Sequence, residues 1–174
     1  MMVAPTRDDG GSWAERLDRL VRRIPGLGRY QDREGLRDTD KHVRTYLAEL
    51  LADLGREIEA AERRLAEAAR LDRLASLDRI GRQVATLADR IRFASYGFTG
   101  VFAQPAIRER ELAGLHGFDL RLIEEIPRLQ SQVRIVMEAA GQDQGFSEAL
   151  QATEAAVREF ERTVDERDRL ARGL

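Results

Sequence analysis

The sequence predicts an all-α protein, an elongated antiparallel helical bundle with coiled-coil character. Three observations predict it. Charged residues make up 34% of the 174 residues and aromatics only 6%, with Leu, Ala, Glu and Arg dominating, which is the composition of long helices. Apolar residues recur at steps of three and four, the spacing that puts them on one helix face. Charges of opposite sign alternate finely, as in Arg56-Glu57 or Glu159-Phe160-Glu161-Arg162, the pattern of a solvated helix face with i,i+4 pairs. The length is that of one domain or one elongated helical unit.

The elements follow in chain order. Residues 1–11 end in Asp8-Asp9-Gly10-Gly11 and read as a flexible lead-in. Ser12 and Glu15 fit a capping box. Trp13, Leu17, Leu20, Val21 and Ile24 share one face of the helix that follows, and Arg16, Asp18, Arg19, Arg22 and Arg23 lie mostly on the other. Pro25 and Gly26 stop it. From about Asp38 to Arg70 the chain holds no proline. Leu47, Leu50, Leu54, Ile58, Ala61, Leu65 and Ala69 step by three, four, four, an eleven-residue rhythm that predicts a nearly straight stripe. That helix is roughly 50 Å long at 1.5 Å per residue.

Leu77, Ile80, Val84, Leu87, Ile91 and Ala94 then step in heptad rhythm. A turn is expected between Arg70 and Ser76, with Ser76 as a cap, although one continuous helix to Ala94 fits the same residues. Residues 95–105 break the pattern with two glycines and three aromatics. Helix resumes at Pro105, a residue suited to a first turn, along the stripe Leu115, Phe118, Leu122, Ile126, Leu129, Val133, Val136 and Ala140. Gly114, Gly117 and Pro127 are expected to weaken or kink it. Gly141 to Gly145 reads as a turn. Phe146, Leu150, Thr153, Val157, Phe160 and Val164 mark a last helix. The organisation expected is a flexible N-terminus plus short amphipathic helix over 1–30 and a single long-helix bundle over 31–174.

Composition excludes several function classes. With no cysteine, disulfides, thiolate nucleophiles and zinc-thiolate sites are ruled out. A net charge of −2 with interleaved acids argues against a nucleic-acid track, which needs a basic stripe. Lys41 is the sole lysine. No Gly-x-Ser-x-Gly, Gly-x-x-x-x-Gly-Lys or Gly-x-Gly-x-x-Gly occurs. A di-iron bundle needs two Glu-x-x-His pairs, but Thr39 and Ala113 stand three before His42 and His116. Asp38 and His42, one turn apart, read as a surface pair or cap. No catalytic, cofactor-binding or metal-binding residue is therefore assigned, and the chain reads as no enzyme.

Three features remain. The Trp13, Leu17, Leu20, Val21 and Ile24 face, opposite its arginines, has the pattern of a helix in a membrane interface, and equally of one that docks on the bundle. Tyr96, Gly97, Phe98, Gly100 and Phe102 form a candidate partner-binding turn, since aromatics make good interface contacts, or else plug one end of the bundle. Surplus apolar stripe would make an oligomer seam.

The segment from Arg90 to Phe102, with His116-Gly117-Phe118-Asp119-Leu120 after it, resembles uncharacterised bacterial helical proteins that carry an aromatic-Gly-aromatic-x-Gly-x-Phe turn between long helices. The resemblance spans roughly residues 25 to 140. It implies that the turn is a family hallmark, and it implies no activity. In layout, a short amphipathic helix before a long helical hairpin resembles phage-shock protein A and its membrane-remodelling relatives. The Gly-rich break at 26–28 and the aromatic turn depart from that pattern.

The function expected is a non-catalytic structural or adaptor module acting through helix–helix contacts, with self-association. A peripheral membrane protein held on anionic lipid by residues 12–24 is the alternative. A ligand-binding or enzymatic bundle using the 92–102 turn with Arg92 is the third. The expected compartment is the bacterial cytoplasm, or the surface of the inner membrane.

Overall fold

The computed structural model describes residues 13–26, 36–94, 105–142 and 144–172. These form five helices: α1 (Trp13–Arg23), α2 (Leu36–Glu67), α3 (Leu71–Phe93), α4 (Pro105–Ala140) and α5 (Phe146–Ala171). The all-α bundle that the periodicity predicts is the fold. The helices pair into two antiparallel hairpins, α2 with α3 and α4 with α5.

The hairpins pack with α2 beside α4 and α3 beside α5. Both of these neighbouring pairs run parallel. Arg134 on α4 makes two 3.0 Å bonds to Glu57 on α2. On the other side, Arg79 on α3 pairs with Glu154 on α5, and eleven residues later Arg90 pairs with Asp165. The order around the bundle is therefore α2, α3, α5, α4. Consequently α3 ends and α4 begins at opposite corners of one end, so residues 94–104 link helices that are not neighbours.

The stripes read from the sequence meet in one core. Leu47, Leu54, Ile58, Leu77, Ile80, Val84, Leu122, Val133, Val136, Val157, Phe160 and Val164 are all buried. Each such side chain contributes about 1.5–3 kcal/mol through its burial. Thr153 takes a place in this core because its hydroxyl lies 2.8 Å from the Ala149 carbonyl and 2.9 Å from that of Gln132. α4 runs unbroken through Pro127, which lies on its exposed face.

The turn between the first two long helices falls at Ala68–Arg70, earlier than the sequence suggests. Arg70 N–H donates to the Leu65 carbonyl at 2.9 Å and Ala69 N–H to that of Ala66 at 3.1 Å. Ala69 sits at φ 56°. This is a Schellman stop with alanine where glycine is usual. The continuous-helix alternative does not hold, and Ser76 lies inside α3 rather than at its cap.

This turn locks onto the turn of the other hairpin. Arg73 Nη1 donates to the carbonyls of Ala139 (3.1 Å) and Ala140 (2.9 Å), and also to that of Gln142. Arg70 Nη1 reaches the Gln142 carbonyl at 3.2 Å. The last carbonyls of α4 lack partners within their own helix, and the Arg73 guanidinium donates to two of them, while Arg70 and Arg73 both hold the turn residue Gln142. Arg73 also lies 5.2 Å over the Phe146 ring, a cation–π contact. We call this the turn end, and the other the open end.

α1 packs on α4. Ile24 joins the common core and Val21 packs against it. Among the described residues, no helix is long and apolar enough to cross a membrane.

Ala69→Gly tests the stop. A left-handed non-glycine residue costs roughly 1–2 kcal/mol, partly offset by the entropy glycine loses on folding. The variant should gain about 0.5–1 kcal/mol, seen as a higher urea midpoint at unchanged m-value.

Candidate functional site

Three ionisable side chains and a histidine are sealed inside the open end. Asp40 on α2 is 1% exposed, His116 and Asp119 on α4 are 0%, and Arg167 on α5 is 2%. Each of the three charged residues stands in the apolar phase of its helix. Asp40 precedes Val43 and Leu47, Asp119 precedes Leu122 and Ile126, and Arg167 follows Phe160 and Val164, all at steps of three or four. Helix geometry thus turns them inward with their apolar neighbours. Phe118, read as the stripe residue, is half-buried instead, with Arg121 5.2 Å over its ring.

Arg167 joins the two carboxylates. Its Nε donates to Asp119 Oδ1 at 2.5 Å and its Nη2 to Asp40 Oδ1 at 2.9 Å. Arg44 Nε donates to the remaining Asp40 oxygen at 2.7 Å. Arg44 Nη1 donates to the Arg92 carbonyl at 3.0 Å, in the last turn of α3. The hub therefore ties together all four long helices. Two arginines balance two aspartates, so it carries no net charge when His116 is neutral. Gly114 makes room beside it, since a Cβ there would stand 2.7 Å from Leu170 Cδ2.

Burial shapes the protonation of the hub. It raises the Asp40 carboxyl above the usual range, and the Asp119 charge adds to that rise; Arg167 and Arg44 act against it. Burial alone would lower Arg167, but Asp119, Asp40 and Asp168 hold it above its ordinary value. His116 is pushed down, chiefly by burial and further by Arg167, against the pull of Asp119 and Asp40. Neither ring nitrogen of His116 has a hydrogen-bond partner, and nor does Asp119 Oδ2.

Around this hub lie weaker ties. Arg90 bridges Asp165 (2.6 Å), Asp168 (3.0 Å) and Glu161 (3.7 Å) between α3 and α5. Thr163 donates to Glu125 Oε1 at 3.0 Å, while Glu125 Oε2 has no partner. Elsewhere an open groove of about 470 Å³ runs between α2 and α4 at the turn end, with Ala61, Leu65 and Met137 among its lining. Among the described residues, no group of three or more Asp, Glu or His is arranged to hold a metal ion.

The residues singled out in the sequence fare unevenly. Val21 and Ile24 face the bundle; the side chains of Trp13, Leu17 and Leu20 lie outside the described set. Tyr96, Gly97, Phe98, Gly100 and Phe102 also lie outside the described residues. His42 Nε2 is 3.2 Å from the Pro25 carbonyl, so it joins α2 to the end of α1. Arg92 enters the hub through its backbone, not its side chain. The hub itself went unread, although its signal was present as charges in the core phase of three helices. Compared with protein-family models, with curated proteins and with solved structures, the chain finds no match.

Removing one member of a buried ionic group leaves the others uncompensated, at about 3–5 kcal/mol. Arg167→Met should cost that much in urea unfolding. Adding Asp119→Leu to it should restore part of the loss, since Asp40 keeps Arg44 as its partner.

Proposed function

We propose that this chain is a non-catalytic scaffold or adaptor that acts through helix–helix contacts and associates with copies of itself through the open end. The observation that supports this reading is how the hub's arginines are engaged. Arg167 is committed to Asp40 and Asp119, and Arg44 to Asp40 and a backbone carbonyl. A catalytic or ligand site needs groups that face a substrate, and here the charges face one another in a sealed interior. They hold helices in place.

The apolar stripes are likewise engaged within the chain. Among the described residues, the large apolar side chains left exposed are Leu71, Phe93 and Ile135. Phe93 is the most open, at 75%. It is the last residue of α3 and leads into the stretch that carries Tyr96, Phe98 and Phe102 in sequence. Aromatic side chains at a small contact are where most binding energy concentrates.

Sedimentation equilibrium of the whole chain tests the reading. The expected result is a concentration-dependent oligomer, weakened at least tenfold by Phe93→Asp and unchanged by Ile135→Asp. A strictly monomeric wild type would sink it. Flotation with anionic vesicles on the same samples addresses the membrane alternative; binding by the intact chain, lost on Trp13→Glu, would put that alternative first.

A further inference from the structure

We propose that His116 is a proton-operated latch, in which protonation adds a second cation beside Arg167 in a sealed, charge-balanced hub and so loosens α4 from α5 and α2 at the open end. The latch rests on the hub geometry alone and stands whether or not the chain self-associates.

The closed form leaves a donor ring and an acceptor oxygen unmet on one helix face. In the closed form Asp119 uses Oδ1 for Arg167, and its Oδ2 has no donor. His116 lies one turn earlier on α4, a spacing that places the two side chains on one face. Its two ring nitrogens are unpartnered and fully enclosed. A neutral ring tolerates this. A protonated one carries two N–H donors and a full charge, which a sealed site without partners opposes. Asp119 Oδ2 is the acceptor within that face. Even when it pairs there, the imidazolium stands as a second cation beside the Arg167 guanidinium, in a hub whose charges had balanced.

The charged groups that act on His116 are Asp119 on its own helix, Asp40 on α2 and Arg167 on α5; Arg44 stands behind Asp40 and Asp168 behind Arg167. Their senses differ. His116 is held below its ordinary value when closed and returns to about 6.5 when open. Between those two values the open form binds more protons, so each unit of acidification favours it about tenfold. Asp40 works oppositely. It is raised in the closed form, so its protonation favours closure. Opening is thus favoured increasingly as pH falls below about 6.5, until the range where Asp40 titrates.

The position gives the latch a consequence. α1 docks on α4, and His42 meets the Pro25 carbonyl close to Asp40 in sequence. Phe93 ends α3 at the same end. Loosening α4 around His116 exposes these contacts to a partner, while the turn end keeps its arginine ties.

Amide exchange of the whole chain between pH 7.5 and 5, corrected for intrinsic rates, tests the latch beside an NMR titration of the His116 ring. The expected result is that His116 titrates below the ordinary value. Exchange in 40–47, 114–123 and 160–171 should rise about tenfold per pH unit over the window, with 54–66, 129–140 and 149–157 unchanged. His116→Leu and His116→Asn should both lose this pH dependence. The same rise in either folded variant overturns the latch, and so does a wild type whose open end stays protected throughout the His116 titration. The second outcome needs no variant to fold.

Discussion

Arg167 reaches across the centre of the bundle. It sits on α5, and the carboxylate it meets at 2.9 Å is on α2, at the opposite corner. Helices at opposite corners touch little through their backbones, so side chains alone relate them. Apolar stripes do not fix that relation. A stripe repeats every few residues, and one turn of slippage matches leucine to leucine again. A buried guanidinium between two aspartates has one arrangement in which every partner is met. Desolvating these charges costs several kcal/mol per ion, and the pairing returns that only with good geometry. What the hub supplies is register: which turn of α2 faces which turn of α4 and α5.

The same logic extends to the seam between the two hairpins. Its described polar ties are arginine ties: Arg134 to Glu57, Arg79 to Glu154, Arg90 to Asp165 and Asp168, and Arg73 to the end of α4. A planar fork that stays charged can hold two acceptors at once, and a lysine ammonium matches that geometry poorly. The near absence of lysine thus acquires a structural use, whatever its origin. Most of these pairs are partly exposed, so each adds little stability. Their value lies in number and in placement across one seam.

How much of this was legible follows from what a pattern can and cannot encode. The helices and their buried faces were readable because burial repeats with the helix period, as Leu77, Ile80, Val84 and Leu87 show. The turn after α2 was poorly marked because Ala69 takes a left-handed conformation that composition assigns to glycine. The hub was invisible for a related reason. Asp40, Asp119 and Arg167 look like surface residues by type, and only their phase betrays them. Phase places a residue inside, but it does not say that three helices bring their charges to one point. That needs the order of helices around the bundle, and the parallel α2/α4 and α3/α5 neighbours are not encoded in any one stripe.

The two ends of the molecule are held by different physics. At the turn end, Arg70 and Arg73 donate to backbone carbonyls, which have no proton to gain in the neutral range. Those bonds depend on the peptide geometry of α4 and change little with pH or with neighbouring side chains. At the open end, the ties are among side chains whose charges depend on burial and on one another. Asp40 and His116 are displaced in opposite directions by the same desolvation, because one gains charge on losing a proton and the other on taking one up. A bundle built this way has one fixed end and one adjustable end. The adjustable end is also where α1 docks, where Phe93 is exposed, and where the chain between α3 and α4 must join opposite corners.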